Sequence, residues 1–319
     1  MCGIIGYYGQ RPALEILIDG LKKLEYRGYD SSGLCLVEDN KLVCYKQAGP
    51  VAYLEKSVAH QDLKGHIGIA HTRWATHGAP NEMNAHPHFD CHHQIAIVHN
   101  GIIENYQALK QLLSSEGHVF TSETDSEVLA HLIEKFYTGS LEEAVSKALA
   151  LIEGSYGLVA LHINENKLVA ARRSSPLIIG IGQGETFIAS DVPAILNHTK
   201  DVIYLEDGDL AIIDAGGYQI KNLAGELLDR RIEEVKLSID QIEKKGYKHF
   251  MLKEIFEQPQ SLTNVLAGRI TNNQIKLSLN WRREAIKRII IAACGTSWHS
   301  ALIGKYLLEE IVGLPVEVD

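Results

Sequence analysis

Cys2-Gly3-Ile4-Ile5-Gly6 opens the chain directly after Met1, and reads as a short apolar strand with a cysteine at its head. Loss of Met1 would leave Cys2 with a free α-amine beside its thiol. The amine titrates at about 7.7–8.0 and a free thiol near about 8.5, so one residue would hold a nucleophile and a base usable near neutral pH. A thiol attacking a carbonyl while an adjacent amine moves the proton is N-terminal-nucleophile chemistry. Taken alone, Cys2 reads more simply as a small buried residue. The rest of the chain reverses that preference.

Working outward, residues 3–9 read as a strand. Residues 11–24 read as a helix, with Leu14, Leu17, Ile18, Leu21 and Leu24 at helical spacing. Runs at 33–38 and 42–47 flank Asp39-Asn40-Lys41 as a hairpin. Strands are expected at 66–71 and 94–99, and helices at 105–115 and 140–152. Thr124-x-x-Glu127 reads as a capping box ahead of Val128, Leu129, Leu132 and Ile133. From 156 onward short apolar runs alternate with turns, at 157–163, 167–172, 176–181, 186–189, 202–205 and 210–214. Strands, helices and strands again predict an α+β layering.

Residues 228–248 are charged and weakly periodic, a partly helical connector. A helix follows from 249 to 268, which Pro259 should bend or break. A buried-type strand at 288–293 then runs into Cys294-Gly295-Thr296-Ser297, a helix at 298–312 and a strand at 315–318. That order is the opening of a parallel α/β domain.

Composition narrows the function. The 319 residues suggest about two domains. A net charge of −9 without a basic run argues against a nucleic-acid partner. No apolar run approaches the ~18–20 residues of a membrane helix, and no signal peptide is expected at the N-terminus. The five cysteines are odd in number and dispersed, which suggests a reduced, cytoplasmic chain rather than a disulfide framework.

Four segments set polar or glycine-rich sequence at the ends of apolar strands: the opening at Cys2, Tyr26-Arg27-Gly28-Tyr29-Asp30-Ser31-Ser32-Gly33, His71-Thr72-Arg73-Trp74-Ala75-Thr76-His77-Gly78, and His99-Asn100-Gly101-Ile102-Ile103-Glu104-Asn105. Together they resemble the glutaminase domain of class II, N-terminal-nucleophile glutamine amidotransferases. With "NAHPH", "SETD", "EIFEQP" and "CGTS", the whole chain resembles the glutamine–fructose-6-phosphate aminotransferases (isomerizing), or glucosamine-6-phosphate synthases.

The resemblance implies a four-layer αββα sandwich, followed by the truncated start of an α/β sugar isomerase (SIS) domain. Its domains would be a glutaminase at 2–240, a linker at 241–248 and the isomerase start at 249–319. It implies glutamine as substrate, fructose 6-phosphate as acceptor in the intact enzyme, a homo-oligomer, and neither cofactor nor metal. Cys2 would be the nucleophile, and Asn100 and Gly101 the oxyanion donors. Asn-Gly is also a strong type I′ hairpin signal, and a turn could present such a hole. Arg73 suits the substrate carboxylate and Asp125 its ammonium; as bare sequence they read equally as an ion-pair arginine and a helix cap. Trp74, Thr76 and His77 would belong to the same loop, with Arg27 and Asp30 as braces. Thr296 and Ser297 would hold the sugar phosphate, although the same turn reads as a plain helix N-cap. The cluster His86-x-His88-x-x-Cys91-His92-His93 invites zinc, but its spacing matches no usual zinc pattern. The rival readings are another class II amidotransferase and a non-catalytic sugar-phosphate-binding scaffold.

Overall fold

The computed structural model describes residues 2–75, 78–236, 247, 249–266, 270–271, 274–275 and 286–319. The chain divides into two compact units, residues 1–245 and 246–319.

The first unit is built on two antiparallel sheets. β1 (Gly3–Tyr8) lies inside an eight-stranded sheet, between β4 (Ile67–Arg73) and β10 (Thr186–Ala189). β2 (Ser31–Glu38) and β3 (Lys41–Ala48) extend it on one side. β9 (Ile178–Ile181), β11 (Asp201–Tyr204) and β14 (Glu233–Glu234) extend it on the other. The second sheet runs β13-β12-β8-β7-β6-β5. Its strands are β5 (His88–Phe89), β6 (Ile95–Ile103), β7 (Gly154–His162), β8 (Glu165–Arg173), β12 (Asp209–Asp214) and β13 (Gly217–Asn222).

Side-chain alternation divides the apolar residues into three layers. Ile5, Tyr7, Leu34, Leu36 and Ala70 pack under α1 (Ala13–Leu24) and α2 (Val51–Val58). Ile95, Ile97, Leu158 and Ala160 pack under α3 (Tyr106–Ser115), α4 (Glu127–Phe136) and α5 (Leu141–Leu149). Ile4, Ile69, Ala96, Val98, Val159 and Ala211 interdigitate between the sheets. The result is the four-layer αββα sandwich.

The same alternation positions the candidate residues. Cys2 continues the inward face of Ile4. His71 and Arg73 continue that of Ile67 and Ile69, and Asn100 that of Ala96 and Val98. Strands from both sheets therefore deliver polar side chains to one end of the inter-sheet layer.

Several local expectations are corrected. Asn100-Gly101 is not a hairpin turn: both residues lie within β6, whose pairing to β7 continues to Ile103↔Gly154. Long-range strand pairing overrides the local turn preference there. The Thr124-x-x-Glu127 box does not form, because Ser126 occupies the N-cap position of α4. The Thr124 hydroxyl instead contacts His88 Nε2 at 3.1 Å, and Glu127 accepts from the backbone and side chains of Thr121 and Ser122. Cys35 and Cys44, directly opposed across the β2–β3 hairpin, form a disulfide, where uniformly reduced cysteines were expected. The odd, dispersed cysteine count argued against disulfides, but the register of the expected hairpin sets these two opposite each other. Helix α2 and strands β13 and β14 were not anticipated, being short or weakly alternating.

In the second unit, α6 (Phe250–Leu266) runs through Pro259 without a break. Proline removes the bond to the Ile255 carbonyl, and Ile255 is exposed, so solvent can satisfy that oxygen. β15 (Ile270–Thr271) and β16 (Gln274–Ile275) form a small antiparallel pair. β17 (Ile289–Ile291) and β18 (Val316–Val318) pair in parallel around α7 (Gly295–Val312), the expected β-α-β order. The connector expected at 241–248 lies outside the described residues except for Tyr247. Among the described residues, no helix is long and apolar enough to cross a membrane.

Candidate active site

Cys2 precedes β1, and its backbone and side chain are held by different neighbours. The Trp74 N–H donates to Cys2 Sγ at 3.2 Å, and the thiol faces the Trp74 carbonyl at 3.6 Å. The Cys2 carbonyl accepts from Arg27 Nε at 3.0 Å and from Asn100 Nδ2 at 3.1 Å. Burial pushes the thiol above the ordinary range; the Trp74 N–H and the positive charges of the chain terminus, Arg73 and Arg27 oppose it.

Arg27 is buried because it is fully used. It reaches Asp191 Oδ2 at 2.8 Å and the Ser190 carbonyl at 3.4 Å while holding Cys2. Ser190 in turn accepts the Ile4 N–H on its hydroxyl at 2.9 Å. The segment 190–191 thus anchors the start of β1, a role sequence reading missed. Ser190-Asp191 follows β10, far from Cys2 in sequence, and only the β1–β10 pairing brings them together.

Asn100 is oriented by His71. His71 Nε2 lies 3.0 Å from Asn100 Oδ1 and 3.1 Å from the His99 carbonyl. Two acceptors at one ring nitrogen require that nitrogen to carry the proton. With Oδ1 so occupied, Asn100 presents its NH₂ to Cys2. Burial pushes the His71 pKa down to about 3, so the ring is neutral at ordinary pH.

His71 belongs to a buried histidine group. Its ring stacks on His86 at 4.1 Å, and His86 meets His88 edge-on at 4.4 Å. His86 Nδ1 accepts the His99 N–H at 3.3 Å, and His99 Nδ1 pairs with Ser126 Oγ at 2.8 Å. Burial lowers the pKa of each of these rings. His86 and His88 of the "NAHPH" motif are thus packed beneath the site. His92 is exposed, and His93 packs against Phe89 with its ring tilted, centroids 5.0 Å apart.

Gly101 has φ +137°, and an added Cβ would lie 2.1 Å from the Ser155 carbonyl. Only glycine fits there. Gly28 also lies close to the 73–74 backbone: a Cβ there would meet the Trp74 nitrogen at 2.8 Å.

Arg73 is buried at the end of β4 and contacts the carbonyls of Ala79 at 3.3 Å and Gly78 at 3.4 Å. Burial pushes the Arg73 pKa down, and the negative charges of Cys2, Asp125 and Asp30 oppose it. Asp125, also buried, accepts the Ile103 N–H at 2.8 Å, which ties it to the end of β6. Asp30 accepts the Ala75 N–H at 2.8 Å. Trp74 is half exposed and meets Tyr29 edge-on at 6.1 Å. Thr76 and His77 lie outside the described residues.

Cys2, Arg73, Asn100, Gly101 and Asp125 therefore gather around the ends of β1, β4 and β6. The arrangement offers a thiol, amide N–H donors, a guanidinium and a carboxylate. Those groups suit a small amide substrate carrying both charges of an amino acid. Thr296 and Ser297, in the second unit, sit exposed in the first turn of α7, whose helix begins earlier than expected, at Gly295. That turn offers backbone N–H groups without intrahelical partners.

Residues 71–197 match a family model described as a glutamine amidotransferase domain. The chain is 48% identical over 333 residues to a glutamine–fructose-6-phosphate aminotransferase (isomerizing) of Chlorobaculum tepidum, matching 100% of this chain and 54% of the relative. It is 47% identical over 321 residues to one of Thermus thermophilus, again over 100% of this chain and 53% of the relative. The chain thus spans about half the length of the curated relatives it matches. Among solved structures, a glutamine phosphoribosylpyrophosphate amidotransferase from B. subtilis, complexed with ADP and GMP, superposes with TM-score 0.65. That match covers 99% of this chain and 65% of the other at 22% identity, a likeness of fold.

Proposed function

Since the chain belongs to the class II glutamine amidotransferases, in the line of the glutamine–fructose-6-phosphate aminotransferases, we propose that it hydrolyses L-glutamine to glutamate and ammonia at Cys2. Once Met1 is removed, the α-amine takes the thiol proton and the sulfur attacks the side-chain amide carbon. The tetrahedral oxyanion is stabilised by the Asn100 side chain and the Gly101 N–H. The C–N bond then breaks, the proton passes to the departing nitrogen, and ammonia leaves a γ-glutamyl thioester. Water adds to the thioester, which frees glutamate and returns the thiol. No metal or cofactor takes part in these steps.

Arg73 receives the substrate α-carboxylate and Asp125 its ammonium. Trp74, Thr76 and His77 are the further residues that the resemblance assigns to glutamine binding. The observation that carries this reading is the Asn100 amide, fixed by His71 and turned with its NH₂ toward Cys2. A non-catalytic scaffold would have no need of that orientation.

The ammonia is destined, on this reading, for fructose 6-phosphate, giving glucosamine 6-phosphate in a cytoplasmic homo-oligomer. The two compact units support a division into a glutaminase at 2–240, a linker at 241–248 and the start of a sugar isomerase domain at 249–319. Thr296 and Ser297 would contact the sugar phosphate there. The relatives are nearly twice as long as the matched stretch, so sugar synthesis would draw on segments these 319 residues do not contain.

Glutamate release by the full chain, with Met1 removal checked by intact mass, tests the proposal. Release by the wild type and none by a folded Cys2→Ala variant is the expected result. Equal release by both would refute the nucleophile assignment.

A further inference from the structure

Away from the Cys2 site, four side chains converge where the loop after β5 meets α4. Cys91, His118, His131 and Glu134 each offer one donor atom, and these four atoms all lie within 4.8 Å of one another. We propose that this is a structural zinc site, with Cys91 Sγ, His118 Nδ1, His131 Nδ1 and Glu134 Oε2 as ligands.

The spacings fit the ion. Tetrahedral zinc, with Zn–S of about 2.3 Å and Zn–N or Zn–O of about 2.0–2.1 Å, separates sulfur from nitrogen by about 3.5 Å and nitrogen from oxygen by about 3.3 Å. Cys91 Sγ lies 3.5 Å from His131 Nδ1 and 3.7 Å from His118 Nδ1. Glu134 Oε2 lies 3.2 Å from His131 Nδ1 and 2.8 Å from His118 Nδ1. One thiolate, one carboxylate and two neutral imidazoles balance the charge of a divalent cation. A single thiolate beside two imidazoles favours zinc over the harder magnesium and calcium.

The surroundings suit a closed site. The Val119 N–H points at Cys91 Sγ from 3.4 Å, and the Cys91 N–H at Glu134 Oε2 from 3.3 Å. His131 is buried, and its Nε2 faces Glu127 Oε1 at 3.7 Å. A small shift would complete the carboxylate–histidine–metal relay typical of zinc sites. Four protein ligands leave no open position, so the ion would hold structure: it would tie the loop at 91, the turn at 118 and α4 together.

The expectation of no metal rested on the resemblance and on the local spacing of His86 to His93. Only Cys91 of that run joins the cluster. The i,i+3 pair His131 and Glu134 shares a face of α4, and His118 comes from the turn after α3. This inference does not depend on the glutaminase reading.

The test is metal content and cobalt spectroscopy on the full chain. After loading with zinc and exhaustive dialysis, about one zinc per chain should be retained. Cobalt(II) in its place should give a thiolate-to-cobalt charge-transfer band with the intense visible bands of tetrahedral geometry. Both should vanish in Cys91→Ala. Should that variant not fold, His118→Ala, at the rim of the site, carries the same test through loss of stoichiometric metal. Failure of the wild type to retain metal would overturn the proposal. So would a cobalt spectrum without thiolate character, or undiminished binding in the variant that folds.

Discussion

His71 Nε2 lies 3.0 Å from Asn100 Oδ1, and this contact decides which end of the Asn100 amide faces Cys2. A neutral ring that donates from Nε2 leaves Asn100 one way to point, with Nδ2 toward the Cys2 carbonyl at 3.1 Å. The donor is therefore set before substrate arrives, which is how an oxyanion site avoids reorganisation during reaction.

Asn100→Ala removes that donor and should lower kcat for glutamate release by about 10²–10³, with a much smaller change in KM. His71→Phe keeps Asn100 but frees its amide to rotate. It should lower kcat by less and also leave KM nearly unchanged. Steady-state kinetics on both variants check this; an unchanged kcat in Asn100→Ala would assign the oxyanion elsewhere.

Arg73→Ala should act on binding. The loss of a buried guanidinium from a carboxylate should raise KM for glutamine by ten-fold or more, an effect of about 1.5–3 kcal/mol. Primary amides without the α-carboxylate should then be hydrolysed alike by variant and wild type. A uniform loss on both substrates would assign Arg73 to structure.

Gly101→Ala should destabilise the fold as well as abolish activity. The new methyl would lie 2.1 Å from the Ser155 carbonyl, at a φ of +137°. A cost of about 1–3 kcal/mol or more is expected. Denaturant melts of wild type and variant measure it directly.

The buried histidines set an acid limit on stability. His71 titrates near 6.5 in the unfolded chain and at about 3 in the folded one, and burial also lowers His86, His88 and His99. Between those two pH values the unfolded chain binds protons that the folded chain refuses. Stability is thus unaffected by these groups above about pH 6.5 and falls as pH drops below it. His71 alone contributes a slope of about 1.4 kcal/mol per pH unit. Denaturant unfolding from neutral pH to about pH 5 should show the decline, and His71→Gln should flatten it.

The order of strands and helices was legible in the apolar runs and the helical spacing, and the four layers followed from the resemblance. The structure adds that Cys2 shares a face with Ile4, His71 and Arg73 with Ile69, and Asn100 with Val98, as a period of two requires. What alternation could not give was partnership across the chain. Ser190-Asp191 anchors Cys2 and Arg27 through a strand pairing that spans most of the first unit. Asn100-Gly101 carries a strong local turn signal that β7 overrules. The Cys91 cluster likewise joins residues whose local spacing says nothing about their meeting, whereas the Cys35–Cys44 bond lies across a hairpin that the sequence did indicate.

The most direct measurement is covalent mapping with an electrophilic glutamine analogue, by peptide mass spectrometry, on chains with and without Met1. Burial keeps the Cys2 thiol above the ordinary range while Met1 is attached, so that form should label slowly. With Met1 removed, labelling should fall on Cys2 rather than Cys91 or Cys294, be slowed by added glutamine, and end glutamate release. Labelling on another cysteine, or glutamate release that survives full modification of Cys2, would contradict the assignment of Cys2 as the nucleophile.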